Sequence, residues 1–208
     1  NLYDTGTRIP LIVSWSGIVA SGERTDAMVS WVDIVPTLID IAGARSPKGI
    51  DGKSFLKVLA GRTSEHRDRI FTTHTGDGSM NIFPIRSVRM GKYKYIHNLR
   101  PDAYFTNHSD RLRKDGAGAF WDSWDERAKL DPMAEAIIRG YYTREEFELF
   151  DLEADPKEND NLARNPEYRD VTNGLREELA IWSKSQGDEL KPHRDPYLTS
   201  EPLPDLRK

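Results

Sequence analysis

Acidic residues are concentrated in the stretch "ELFDLEADPKENDNLARNPEY", residues 148–168, where they alternate from Asp151. Carboxylate oxygens at alternate positions are how a calcium loop binds its ion, but such a loop also requires Gly at its sixth position and Glu at its twelfth. Counted from Asp151, these positions are Pro156 and Leu162. The proline ring fixes the backbone where the sharp turn needs Gly. We therefore expect no calcium loop in this stretch.

A strand, a turn and a helix entry account for the same residues. "ELFDL" alternates apolar and polar side chains, as a half-buried strand does, and "ADPKEND" has the composition of a turn. Asn165 and Pro166 are suited to the N-cap and the first helical position. The apolar residues that follow at helical spacing are Val171, Leu175, Leu179 and Trp182. They predict an amphipathic final helix with one buried stripe.

Composition limits the classes of protein to which the chain can belong. Its 208 residues are enough for one or two domains, with 31% charged and 37% hydrophobic residues. The net charge of −4 gives no electrostatic basis for binding nucleic acid. No apolar run approaches the roughly 20 residues that span a membrane. Because the chain has no Cys, disulfides, thiolate metal sites and a Cys nucleophile are excluded within it.

The apolar run "PLIVSW", residues 10–15, is typical of a strand buried on both faces of a parallel sheet. Parallel strands need neighbours that are reached through crossover connections. Only one such strand is visible, which predicts the tail of a larger α/β protein whose other strands come earlier. The alternative is an edge strand of a self-contained α+β domain.

Helix signals follow this run. "SWVDIVPTLIDIAG" predicts a helix with Asp33 as its N-cap, Pro36 in its first turn and Gly43 as its C-terminal stop. A second, short helix is predicted from Ser54 to another stop at Gly61. The residues predicted to form the buried stripe of the first helix are Val35, Leu38, Ile39 and Ala42.

Strand patterns dominate the middle of the chain. "RIFTTH" is strand-like, and "FPIRSVRMG" and "KYKYIHNL" alternate around Gly91, which predicts a hairpin. The predicted fold class is α/β: the end of a doubly wound domain, followed by a small antiparallel sheet packed against the C-terminal helix. A further helix is expected near "DPMAEAIIRG". The predicted domains are residues 1–62, residues 63–187 and an irregular tail at residues 188–208.

Several motifs, in this order, resemble the C-terminal part of the sulfatase family, which is formylglycine-dependent and has an alkaline-phosphatase-like fold. They are "YDTGTRIPLIVSW", "VSWVDIVPTLIDIAG", "GIDGKSFLKVLAG" and "LFDLEADPKENDNLA". A further segment, "FPIRSVRMGKYKYIHNL", is similar to the heparan N-sulfatase (sulfamidase, N-sulfoglucosamine sulfohydrolase) branch. The resemblance covers residues 1 to about 187. It implies that the acidic stretch is a structural strand and turn, away from the metal of the family.

The resemblance implies an enzyme that hydrolyses sulfate esters or N-sulfates of sulfated saccharides, with heparan and glucosamine substrates favoured. Its formylglycine and calcium are expected from residues upstream of this chain, which has neither a Cys nor the Ser form of the C/S-x-P-x-R motif. No catalytic or metal-binding residue is therefore assigned here, and the chain alone is expected to be inactive.

The expected partners are the sulfated saccharide and the upstream part of the same enzyme, without nucleic acid or membrane. A homo-oligomer is compatible with the resemblance, and the family favours an extracytoplasmic location, whether periplasmic, secreted or lysosomal. The alternative to the enzyme is a non-catalytic α+β module that binds glycans or a partner.

His74, Asp77 and Arg86 are the candidate substrate-binding residues. They lie in "HTGDGSMNIFPIR", where two glycines predict a loop, and loops on a rigid scaffold often carry binding residues. Imidazole, carboxylate and guanidinium groups offer donors and acceptors suited to sugar hydroxyls and sulfates. The alternative is that His74 ends a strand and that Arg86 pairs with a structural acid.

Other candidates have plainer interpretations. His97 lies on an alternating strand, which favours a structural histidine. Trp121 and Trp124 could stack on sugars, although packing in a core or an interface is favoured. Arg8, just before Pro10, is predicted to be a buried ion-pair partner rather than a sulfate ligand.

Overall fold

The computed structural model describes residues 1–76, 78, 81–113, 118–204 and 206. These residues form two compact units. The larger one, which we call the sheet unit, consists of Asn1–Thr7, Phe71–Val88 and Tyr93–Lys208, and the smaller one consists of Arg8–Ile70 and Arg89–Lys92. The domain boundaries predicted after residues 62 and 187 stay a prediction. No helix in the described part of the chain is both long and apolar enough to cross a membrane.

The sheet unit is built on a four-stranded sheet in the order β1-β2-β3-β4. The strands of this sheet are β1 (Arg69–His74), β2 (Ile85–Met90), β3 (Tyr93–Asn98) and β4 (Phe147–Asp151), and residues 69–70 and 89–90 at strand ends are counted with the smaller unit. A two-residue turn joins β2 to β3, and Gly91 in this turn has a φ of 57°, which glycine adopts without strain. β3 pairs antiparallel with β4, with Tyr95 opposite Leu149. The hairpin predicted at Gly91 is confirmed.

The helices of the sheet unit are α1 (Asp4–Thr7), α4 (His108–Leu112), α5 (Trp121–Ala128), α6 (Pro132–Tyr142) and α7 (Arg169–Ser185). α6 begins as its sequence predicts, because the side chain of Asp131 accepts a hydrogen bond from Met133 N at 3.0 Å. α7 follows a 3-10 turn, Pro166–Tyr168, which is capped by Asn165.

The core of the sheet unit contains two clusters of buried side chains. Leu175 and Leu179 of α7 pack with Val88, Tyr95 and Leu149 of the sheet, and Val171 and Trp182 pack against the edge of this cluster. The predicted stripe of the final helix is therefore confirmed. The other cluster consists of Leu2, Phe83, Ile85, Ile96, Ala103, Phe105, Phe150 and Leu152. Since neighbouring residues of a strand point to opposite faces, Tyr95 and Ile96 belong to different clusters.

The acidic stretch forms the predicted strand, turn and helix entry. After β4, Asp151 Oδ1 accepts hydrogen bonds from Glu153 N at 3.1 Å and from Ala154 N at 3.2 Å. Asp155 Oδ2 accepts from the backbone N–H groups of residues 159 and 160, at 2.6 and 2.9 Å. These carboxylates therefore cap backbone groups of their own turn, which is the ordinary use of Asp in turns.

The smaller unit contains a 3-10 turn (Trp31–Asp33), α2 (Ile34–Ile41) and α3 (Leu56–Leu59). Asp33 is fully buried, and its carboxylate joins several segments of this unit. Its carboxylate accepts hydrogen bonds from Ser30 N at 3.0 Å, Lys53 N at 2.8 Å and Arg67 Nε at 2.6 Å, and it lies 3.0 Å from His66 Nε2. The Asp33 carboxylate thus caps the preceding 3-10 turn through Ser30 N and otherwise bonds to residues remote in sequence, whereas as N-cap of α2 it makes no side-chain capping hydrogen bond.

Two predictions for the smaller unit are wrong. Residues 10–15 do not form a strand, and Ile12 is 90% exposed. The predicted stripe of α2 is not buried, since Val35 and Leu38 are 55% and 58% exposed, while Pro36 and Thr37 face the interior. A strand of a parallel sheet forms only beside a neighbour, and the part of the chain that the structure describes places no strand next to residues 10–15.

Candidate binding site

An open cavity of about 200 Å³ lies in the sheet unit. The segment that follows β1 lines one side of it and the segment that follows α7 lines the other. Its lining residues are Thr75, Gly76, Gly78, Ile82, His193 and Arg194. Cavities that enclose a drug-sized ligand measure about 300–1,000 Å³, so this one has room for a substituent of a sugar or a single ring.

The first wall is anchored where the chain returns to the sheet. Residues 81–86 are buried, and Phe83 belongs to the core. Gly76 passes close to this return, because a Cβ at that position would lie 3.1 Å from the carbonyl oxygen of Asn81. Gly78 has a φ of 57°, which favours glycine. The loop therefore presents backbone to the cavity from a fixed base.

Arg86 connects the two walls of the cavity. Its side chain is 5% exposed, and its Nε and Nη2 donate to the two carboxylate oxygens of Asp188, with Nη2 2.9 Å from Oδ1. Its Nη1 donates to the carbonyl oxygens of His74 and Ile85, at 2.9 Å each. The hydrogen bond from Arg86 lowers the pKa of Asp188. This bidentate geometry fixes the end of β1 relative to the beginning of the C-terminal segment.

The second wall is a segment anchored at both ends. Asp188 is held by Arg86, and further along the backbone of Tyr197 accepts a hydrogen bond from Tyr104 N at 2.7 Å. Thr199 N donates to the carbonyl oxygen of Asp102 at 2.9 Å. His193 and Arg194 lie between these anchors, and both side chains are exposed. The tail has the irregular backbone that its composition predicted, but its contacts hold it against the sheet unit.

The structure places the predicted site residues as follows. His74 is the last residue of β1, next to the cavity-lining Thr75, and Asp77 lies outside the described residues. Arg86 pairs with an acid, Asp188. Both features belong to the structural alternative, and binding of substrate by these residues stays a prediction. Sequence reasoning missed His193 and Arg194, whose only local signal was a pair of basic side chains in a stretch otherwise typical of a tail.

The other candidate residues predicted from the sequence lie outside the cavity lining. The ring of His97 lies 4.9 Å from that of Phe147, and burial lowers the pKa of its imidazole, as for a structural histidine. Trp121 is buried against Tyr141, whereas Trp124 is partly exposed. Arg8 is exposed, so the prediction of a buried ion-pair partner is wrong. Within the described ranges, no group of three His, Asp or Glu side chains could hold a metal ion.

The fold has a counterpart among solved structures. It is similar to that of a protein in complex with its substrate D-glucosamine-2-N,6-O-disulfate, with a TM-score of 0.55 and 20% sequence identity. The match covers 82% of this chain and 27% of that one. The sheet unit and the smaller unit thus belong to a mixed α/β class of known architecture.

A family model described as N-sulphoglucosamine sulphohydrolase, C-terminal, matches residues 1–111. Since this is more than half of the 208 residues, the chain belongs to that family. The resemblance to the C-terminal part of sulfatases, and to the sulfamidase branch, is confirmed.

Two relatives match most of the chain. An ulvan-active sulfatase of Formosa agariphila is 30% identical over 189 residues, which is 90% of this chain and 35% of the relative. The N-sulphoglucosamine sulphohydrolase of Homo sapiens is 29% identical over 204 residues, covering 88% of this chain and 38% of the relative. The chain therefore spans little more than a third of the length of these relatives.

Proposed function

We propose that this chain is the C-terminal part of a sulfatase that hydrolyses sulfated saccharides, with N-sulfated glucosamine as the favoured substrate. The family match over residues 1–111 carries the proposal. The two relatives described above support it, since one is named an ulvan-active sulfatase and the other an N-sulphoglucosamine sulphohydrolase. The substrate-bound protein of similar fold supports the saccharide class. As in the family, the enzyme acts outside the cytoplasm.

The reacting groups belong to other parts of the enzyme. Formylglycine and calcium, expected upstream of this chain, supply the attack on sulfur and the stabilisation of the developing negative charge. This chain has no Cys to become formylglycine, and its described acids in the turn after β4 serve backbone N–H groups. Its own contribution is therefore to bind and orient the saccharide.

The loop from His74 to Arg86 forms the saccharide-facing wall in this proposal. His74, Asp77 and Arg86 offer an imidazole, a carboxylate and a guanidinium for hydroxyl, amine and sulfate groups of the ligand. Arg86 contributes chiefly by holding the His74 carbonyl and Asp188, because its side chain is almost fully buried. Because the loop is anchored at His74 and Arg86, its ends hold a bound substrate in a defined orientation.

Sulfate release tests the function. The complete protein, with its upstream part, should release sulfate from N-sulfated glucosamine and from heparin-derived disaccharides, whereas the 208-residue chain alone should release none, even from an aryl sulfate. Turnover by the chain alone would contradict the proposal. A complete protein that binds these saccharides without releasing sulfate would instead support the non-catalytic glycan-binding module.

A further inference from the structure

The two basic side chains of the second wall have no partner among the residues that the structure describes. Arg194 and His193 line the cavity, both exposed, and among the described residues neither makes a hydrogen bond or an ion pair. A guanidinium with five donors in a planar fork matches an oxyanion bidentately. The cavity thus has donors on one side that no described group of the sheet unit uses.

The acids of the same segment are engaged elsewhere. Asp188 is held by Arg86, and Glu189 lies 3.3 Å from Lys191. The charge of Asp195 acts on Arg100, whose pKa is raised mainly by its hydrogen bond to Asp102 and to a smaller extent by Asp195. Asp188 and Glu189 thus lie beside other cations, and within the described part of the chain no carboxylate pairs with Arg194.

The opposite wall suits an anion as well as a sugar ring. Gly76 and Gly78 bring backbone rather than side chains to the cavity, and backbone N–H groups of glycine-rich loops are donors to anionic oxygens. Ile82 provides an apolar contact for a sugar ring. The cavity combines an apolar contact with basic donors, and a few placed polar groups are what fixes the orientation of a ligand in a pocket.

We propose that His193 and Arg194 form a specificity site for an anionic substituent of the saccharide, either a sulfate or a uronate carboxylate. The proposal rests on the proposed function and extends it from the loop after β1 to the C-terminal segment. Arg86 is a positioning residue of this site, since it fixes both the His74 carbonyl and Asp188 and so sets the width of the cavity.

Kinetics of the complete enzyme test the site. Arg194→Ala should raise KM for a heparin-derived disaccharide about tenfold, the loss expected for one charge-assisted contact, while kcat stays near the wild-type value. His193→Ala should act in the same direction with a smaller change, and Arg194→Lys should restore part of the loss. Hydrolysis of a small aryl sulfate should be unchanged in all three, because it carries no second anionic group.

Lys191→Ala is the matched control, because Lys191 lies on the same segment, is exposed and does not line the cavity. It removes the same charge and should leave both substrates unaffected. If Lys191→Ala and Arg194→Ala raise KM equally, the effect is one of general charge and the site is refuted. Wild-type kinetics of Arg194→Ala on every substrate would refute it too.

A carboxyl-reduced form of the disaccharide separates the two anions. A loss caused by Arg194→Ala that disappears with this probe assigns the group as the carboxylate, and a loss that persists assigns it as a sulfate. A complete protein that hydrolyses none of the probes contradicts the proposed function. Calorimetry with the same disaccharide then tests the proposed site independently of hydrolysis. Weaker binding to Arg194→Ala than to Lys191→Ala supports the site, and equal binding refutes it.

Discussion

Lys94 and Glu158 form a buried ion pair, with Nζ 2.8 Å from Oε1 and both side chains no more than 3% exposed. Lys94 also pairs with Asp4, and Glu158 Oε2 accepts a hydrogen bond from Asp4 N at 2.5 Å. The cluster fastens the N-terminal residues to β3 and to the acidic turn. Nearby, Tyr3 Oη donates to Glu148 at 2.7 Å. Two acids of the acidic stretch, Glu148 and Glu158, therefore hold the N-terminal segment.

Glu158→Gln should destabilise the sheet unit by about 1–3 kcal/mol, because it removes the Glu158 carboxylate from the buried Lys94 ammonium and leaves Asp4 to balance its charge. Thermal unfolding of the complete protein measures the loss, and hydrogen exchange should show faster exchange at residues 1–7. Glu153→Gln, at an exposed position of the same turn, is the control and should change neither. Unaltered exchange at residues 1–7 in Glu158→Gln would contradict the anchoring role.

Asp33 should make the stability of the smaller unit depend on pH. Burial by itself raises the pKa of its carboxyl, but hydrogen bonds from Arg67 and from the backbone N–H groups of Lys53 and Ser30 outweigh burial and hold the pKa well below the ordinary value of 3.8. A lowered folded-state pKa contributes stability that is fully present above the ordinary value and is lost as the pH falls below it.

We therefore expect Asp33→Asn to lower the free energy of unfolding by about 3 kcal/mol at neutral pH, with a difference from wild type that shrinks below pH 3.8. The measurement is denaturant unfolding at pH values from neutral to below 3.8, monitored by hydrogen exchange at residues 30–53. Asp26→Asn, at an exposed position, is the control. If the difference in unfolding free energy between Asp33→Asn and wild type stays constant with pH, ionisation of the Asp33 carboxyl is not the source of the stability.

The exposed apolar side chains of the smaller unit should make the 208-residue chain associate when it is produced alone. Ile12, Trp31 and Leu38 are 90%, 74% and 58% exposed, and exposed apolar surface of this kind favours association. Light scattering should show particles larger than the monomer, and Leu38→Glu should reduce them. Ile181→Glu, at a comparably exposed position on α7, is the control and should not. A dilute wild-type monomer would refute the expectation.

The acidic turn should bind no calcium in the micromolar range. Asp151 Oδ1 and Asp155 Oδ2 already accept backbone hydrogen bonds, and Pro156 and Leu162 stand where a calcium loop needs Gly and Glu. Titration calorimetry of the chain with calcium should show no saturable heat. Saturable binding that Asp151→Ala removes would overturn this expectation.

His74→Ala in the complete enzyme should weaken hydrolysis of the natural saccharide about tenfold while leaving a small aryl sulfate nearly unaffected, because the small substrate does not reach the loop. The ratio of kcat/KM for the two substrates is the measurement. Equal loss on both would indicate a role in folding or in the chemical step. Thr73→Ala, an exposed neighbour on β1, is the control and should keep the wild-type ratio.

Local signals in the sequence determined much of the fold. The hairpin at Gly91, the strand and turn around Asp151 and the stripe of α7 all follow from patterns within about ten to twenty residues, where strand alternation, turn residues and helical spacing act through short-range contacts. The same local patterns gave the wrong answer for "PLIVSW" and for the stripe of α2. Both patterns mark apolar surfaces that are buried only when another segment packs on them. Apolar periodicity indicates which face of an element is to be buried, but it does not indicate which segment buries it.

Only the tertiary structure decided the candidate site. Arg86 and Asp188 are 102 residues apart in sequence, and nothing local to either residue encodes their pairing. The same holds for Lys94 and Glu158, which are 64 residues apart. From the sequence, His193 and Arg194 belong to an irregular tail. They lie across a cavity from Gly76 only because the backbones of Tyr104 and Asp102 bind that tail. The sequence specifies the chemistry of each side chain, whereas the distances between the side chains of a site arise from packing between remote segments.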